Sequence, residues 1–96
     1  MDIGKIITID RSEVLVHLAD LEESDFVSRS QAKRILLGLD KFSLITFDFK
    51  KLDSIGQGFV DEIFRIFKNN NPHITLQYIN ANDAVRFMIE RSGKTQ

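Results

Sequence analysis

The 96-residue chain has no cysteine. That excludes disulfides, thiolate metal sites and cysteine nucleophiles together, and it fits a reducing compartment. Tryptophan is absent too, so eight phenylalanines and one tyrosine make up the aromatic content. No apolar run approaches the ~20 residues of a membrane span. The opening residues, Met1 to Lys5, lack the basic start and long apolar stretch of a signal peptide. The chain therefore reads as cytoplasmic and without a membrane role. Neither sign of charge dominates: 13 basic and 14 acidic residues leave a net charge of −1. A dedicated nucleic-acid binder usually carries a basic excess, so the balance argues against one. Repeats and low-complexity tracts are missing. His17 and His73 are far apart and have no spaced carboxylates beside them, so neither a metal site nor a cofactor is expected.

What is present fits one ordinary globular domain over residues 1–96, with 43% apolar and 28% charged residues. Lys5 to Thr8 is short and β-prone, and Asp10-Arg11-Ser12 reads as a turn. Val14 to Leu18 is a second strand, rich in branched aliphatic residues. Leu21 to Phe26 is an acidic loop. Ser28 with Gln31 three residues later forms a capping-box pattern. Behind it Ala32, Ile35, Leu36 and Leu39 recur at helical spacing. Gly38 weakens the last turn.

Phe42 to Phe49 is almost wholly apolar, the signature of a central parallel strand buried on both faces. The next helix places Phe59, Val60, Ile63, Phe64 and Phe67 on one face, with Asp61, Glu62, Arg65 and Lys68 off it. Pro72 ends it. Ile74 to Ile79 alternates as a strand. Asn80 or Asn82 caps a last helix, whose buried face carries Ala81, Ala84, Val85, Met88 and Ile89. The tail from Ser92 is polar and frayed. The order β-β-α-β-α-β-α predicts an α/β fold with a mixed sheet of about four strands and three flanking helices. Periodicity leaves open whether the helices cover one face or two. If Phe64 is fully buried, Phe64→Ala costs roughly 3–5 kcal/mol.

The turn Gly56-Gln57-Gly58 stands where phosphate-binding loops stand, between a strand and a helix. Its detail departs from them. Asp61 falls where a dinucleotide fingerprint has its third glycine, and no Gly-Lys-Ser/Thr follows. Asp61 and Glu62 would repel a phosphate at that helix end. Close packing is the simpler explanation of the glycines. Asp48, at the end of the apolar strand, is placed either to hold a ligand or to bond the amides of the loop after it. The second role is favoured. Asp61 and Glu62 can pair with Arg65 on the same helix, each exposed pair contributing about 0.2–0.5 kcal/mol. Arg29, Lys33, Arg34 and Lys41 form a basic cluster, read first as a solvated face, second as a surface for an acidic partner and third as a contact for RNA or DNA.

Three stretches carry a resemblance. They are Ser28 to Leu36, Phe47-Asp48-Phe49 with Ile55 to Arg65, and Asn80-Ala81-Asn82 with Val85 and Met88-Ile89. In this order they resemble the STAS-like domain family of unknown function, found in bacteria and archaea. That family is in turn similar to the STAS domains of anti-sigma-factor antagonists. The resemblance implies a STAS-like fold and a protein-binding switch whose partner is a histidine-kinase-like ATPase. In STAS domains a serine at the start of the helix after the central strand is phosphorylated. Counted from Asp48, that serine position falls on Gln57 and the preceding aspartate position on Gly56, with Ser54 about three residues too early. Glutamine cannot be phosphorylated, so partner binding transfers better than the phospho-switch.

Two functional readings follow. In the first, Arg29, Gln57, Asp61, Glu62 and Arg65 form a polar surface for a partner protein, such as a kinase-like ATPase or a transcription regulator. In the second, Gly56, Gln57 and Gly58 bind a small ligand or nucleotide through backbone amides. No nucleophile–base pair is visible, which argues against an enzyme. An exposed sheet edge can support a homodimer, though no residue pattern specifies one.

Overall fold

Branched and aliphatic residues in alternation build four strands: β1 (Ile6–Asp10), β2 (Glu13–His17), β3 (Leu44–Asp48) and β4 (Thr75–Ile79). The computed structural model describes residues 6–10, 12–21 and 26–94. Lys5, Arg11 and residues 22–25 lie outside them, so part of the first strand, the turn and the acidic loop expected there is not described. β2, β3 and β4 form a parallel sheet, and β1 pairs antiparallel with β2. Parallel neighbours need crossover connections. Helix α1 (Arg29–Leu36) supplies the first, and helix α2 (residues 57–70) the second. Helix α3 (Asp83–Lys94) closes the chain.

Each row across the parallel sheet has a definite character because the strands run in register. Val14, Ile45 and Leu76 align, and so do Val16, Phe47 and Tyr78. These rows face the helices: Phe64 of α2 meets the rings of Phe47 and Tyr78 edge-on at 5.8 and 6.3 Å. The intervening row of Leu15, Thr46 and Gln77 lies on the other face, where Leu15 and Thr46 are half-buried and Gln77 is exposed. All three helices therefore pack against one face. This corrects the expectation that β3 is buried on both sides. An apolar run such as Leu44-Ile45-Thr46-Phe47 fits a one-sided sheet when its outward residues are only half-covered.

Local signals set the helix ends. In α1, Ser28 Oγ accepts from the Gln31 amide at 3.3 Å while Gln31 Oε1 accepts from the Ser28 amide at 2.9 Å, a complete capping box. Ala32, Ile35 and Leu36 are buried as expected, and Leu39 is buried in the turn that follows Gly38. Gly38 itself takes a left-handed φ of 81°, which stops the helix. Asn82 caps α3, its Oδ1 accepting from the Val85 amide at 2.8 Å.

Two helix faces differ from expectation. In α2 the segment Glu62–Phe67 is π-helical between α-helical segments Gln57–Asp61 and Lys68–Asn70. The wider i→i+5 turn rotates Glu62 inward, so it is buried, while Phe64 and Phe67 are only partly covered. Full burial of Phe64 is thereby corrected. In α3, Val85 and Ile89 are buried but Ala84 is exposed. Ser92, expected in a frayed tail, is helical and 4% exposed.

Candidate functional site

The capping box places Arg29 in the first turn of α1, beside α2. Arg29 Nη1 donates to Asp61 Oδ2 at 2.7 Å and lies 3.6 Å from Glu62 Oε1. Arg65, one turn along α2, donates from Nε to Asp61 Oδ1 at 2.5 Å and from Nη2 to Oδ2 at 2.6 Å. Two parallel bonds of this kind are the strongest form of the arginine–carboxylate pair. The Arg65 hydrogen bonds, joined by Arg29 and opposed by burial, pull the Asp61 carboxyl down to about 2.

Four of the five expected partner-binding residues thus form one network at the α1–α2 seam. Gln57, the first residue of α2, is exposed close to it in sequence. The network has an inner and an outer part. Glu62 and Asp61 are largely covered, whereas the Arg29 side chain is 48% exposed and that of Arg65 is 35% exposed. Pairing of Asp61 with Arg65 follows from their spacing of four on one helix. The bond from Arg29 across to α2 does not, because it depends on how the helices cross.

The Gly56-Gln57-Gly58 turn is filled by the chain itself. The Gly56 amide donates to Phe26 O at 2.7 Å, and the Phe59 amide to Val27 O at 3.1 Å. A Cβ at Gly56 would sit 2.5 Å from Val27 O and 2.6 Å from Val27 Cα. Gly56 is thus required by the approach of segment 26–27, which is the packing explanation. A phosphate cradle needs amides free to point at the ligand, and within the turn that of Gly56 is engaged. A hollow of about 310 Å³ beside Gly56 is bordered by Phe26, Val27 and residues 51–55.

A second polar group stands at the carboxyl ends of the parallel strands. His17 of β2 and Asp48 of β3 are register partners, and His17 Nδ1 lies 2.7 Å from Asp48 Oδ2. Asp48 Oδ1 accepts from Asn80 Nδ2 at 2.9 Å and from the Lys50 amide at 3.0 Å. The carboxylate is 5% exposed. Burial pushes its pKa up, but the bonds from Asn80, the Lys50 amide and His17 together outweigh that and hold it below the usual carboxylate range. The favoured role of Asp48, bonding the loop amide, is present, and the pairing with His17 accompanies it. His17 and Asp48 stand 31 positions apart in the chain, and their parallel register is what joins them.

The chain matches the family described as STAS-like domain of unknown function over residues 31–86, more than half its length. It belongs to that family. The match covers β3, α2 and β4 with Asp48, Gln57, Asp61, Glu62 and Arg65, while Arg29 and His17 lie before it. No curated protein and no solved structure matches the chain. Among the described residues no group of three or more metal-binding side chains occurs, and no helix is long and apolar enough to cross a membrane.

Proposed function

We propose that this chain is a non-catalytic regulatory module that works by binding a partner protein at the α1–α2 seam. One observation carries the reading: residues from two separate helices are locked into a single network, with Arg29 and Arg65 as its solvent-reaching members and the exposed Gln57 four positions before Asp61 on the same helix. Arginine is over-represented among residues that dominate protein interfaces. Here both guanidinium groups are held in place by Asp61, so little side-chain entropy is lost when a partner docks. The π-helical segment supports the same location, since such segments concentrate at functional sites.

The partner best matched by the family resemblance is a histidine-kinase-like ATPase or a transcription regulator, in a prokaryotic cytoplasm. Control by a phosphoserine at the start of α2 does not carry over, because Gln57 stands there. The Gly56-Gln57-Gly58 ligand turn gains no support from the amides of Gly56 and Phe59. Affinity purification of the tagged chain from its native extract tests the proposal. The wild type captures an ATPase or regulator, and Gln57→Ala/Arg65→Ala loses it with the fold intact by circular dichroism. Retention of every partner by the double variant would place the interface elsewhere.

A further inference from the structure

A cavity of about 290 Å³ opens at the carboxyl ends of β2, β3 and β4, lined by His17, Asp20, Asp48, Lys50, Lys51 and Asn80. Small-molecule sites in parallel sheets lie outside the carboxyl ends of the strands, and this volume is at the lower end for a ligand pocket. Its floor is preorganised. Asp48 accepts from His17, Asn80 and the Lys50 amide, so its oxygens are engaged and it fixes its neighbours rather than receiving a ligand. With Nδ1 turned to Asp48, His17 keeps its other ring nitrogen for a further bond, and its side chain is 28% exposed. Among the described residues the ammonium groups of Lys50 and Lys51 have no hydrogen-bond or ion-pair partner. The groups left to meet a ligand are therefore the two ammonium groups, the outward nitrogen of His17 and the exposed Asp20 carboxylate, two cations against one anion.

The backbone adds an independent sign. Among the described residues the non-glycine positions with positive φ are Lys51, at 72°, and Asn80, at 59°, and both line this cavity. Asparagine tolerates that conformation; lysine does so at a cost. Strain of this kind persists where the surrounding structure enforces it and gathers at ligand sites.

We propose that this cavity binds a small anionic ligand through a carboxylate or phosphate group. Lys50 and Lys51 supply the charge, and His17, whose Nδ1–H donates to Asp48, directs Nε2 at the ligand, as an acceptor for a protonated acid oxygen and as a donor only in the imidazolium form. The site is separate from the α1–α2 seam and stands or falls without it. The test is a titration of the full chain, followed by amide NMR shifts. Inorganic phosphate and malonate are added in separate arms, with chloride as the ionic-strength control. Saturable shifts confined to residues around His17, Asp48, Lys50, Lys51 and Asn80 are expected, and the tighter arm identifies the anion class. Lys51→Gly separates binding from folding, because glycine relieves the positive φ while removing the charge. It should raise the melting temperature and weaken binding about tenfold, the loss of one charge-assisted hydrogen bond. Shifts scattered over surface lysines, no saturation in either arm, or unchanged affinity in Lys51→Gly would overturn the proposal.

Discussion

Gly56→Ala isolates one contact. Gly56 has φ −84° and ψ 154°, an extended conformation that alanine adopts freely. Backbone preference therefore contributes no penalty, and the unfolded chain would even lose a little freedom in the variant's favour. What remains is steric. The new Cβ would meet Val27 O at 2.5 Å, Val27 Cα at 2.6 Å and Val27 C at 2.9 Å. These are backbone atoms, so no rotamer change relieves them. Segment 26–27 is also tied to α2 by the bonds from the Gly56 and Phe59 amides. Either the overlap is kept, at about 1–3 kcal/mol for overpacking, or the segment moves away and forfeits bonds of ~1 kcal/mol each. A loss of about 1–3 kcal/mol follows by either route. For a domain this size each kcal/mol shifts the midpoint by about 4–8 °C, so differential scanning calorimetry should record a fall on the order of 10 °C. Gly58→Ala is the control. Its Cβ would meet Val27 O and the Arg29 amide nitrogen at 3.5 Å, ordinary contacts. There alanine's helix preference, ~1 kcal/mol over glycine, should leave stability equal or higher. Equal melting of Gly56→Ala and wild type would refute the packing argument.

Three further outcomes are expected. Phe59 is fully buried against Phe26, ring centroids 5.4 Å apart, so Phe59→Ala should cost about 3–5 kcal/mol in urea unfolding. Phe64→Ala, at a partly buried site, should cost less, and the reverse order would mean that the π-helical phase is misplaced. Asp48→Asn leaves a cluster of donors facing an amide and should cost on the order of 2–3 kcal/mol; a loss under about 0.5 kcal/mol would show that its bonds contribute little. The carboxyls of Asp48 and Asp61 are both held low. Their contribution is complete above the unfolded value of ~3.9 and is lost as pH falls through the folded values, which for Asp61 is about 2. Acid unfolding should therefore steepen below ~4 in the wild type and flatten in Asp61→Asn, and identical acid profiles would contradict the pairing.

The strands, α1 and its capping box were legible because each rests on a local rule: alternation, or a serine and glutamine three apart. The start of α2 was legible for the same reason. The π-helical phase was not. A 3.6-residue period put Glu62 on the outside, and only the wider turn brings it in. Among the site residues, the pairing of Asp61 with Arg65 follows from spacing on one helix. The bonds of Arg29 to Asp61 and of His17 to Asp48 join residues 32 and 31 positions apart. Helix crossing and strand register create them, and no window along the chain contains both partners. The apolar stretch around Leu44 to Phe47 misled for a related reason. Its composition suits two-sided burial, but all three helices lie on one side.

The central claim is that the α1–α2 seam is the partner-binding face. Its most direct test is calorimetric titration of the captured partner into wild type, Gln57→Ala, Arg65→Ala and, as a control, His73→Ala, an exposed residue ahead of β4. Both seam variants should bind at least about tenfold more weakly, the effect of losing one interface anchor, while His73→Ala binds as wild type does. Equal affinity across all four proteins, each folded, would contradict the claim.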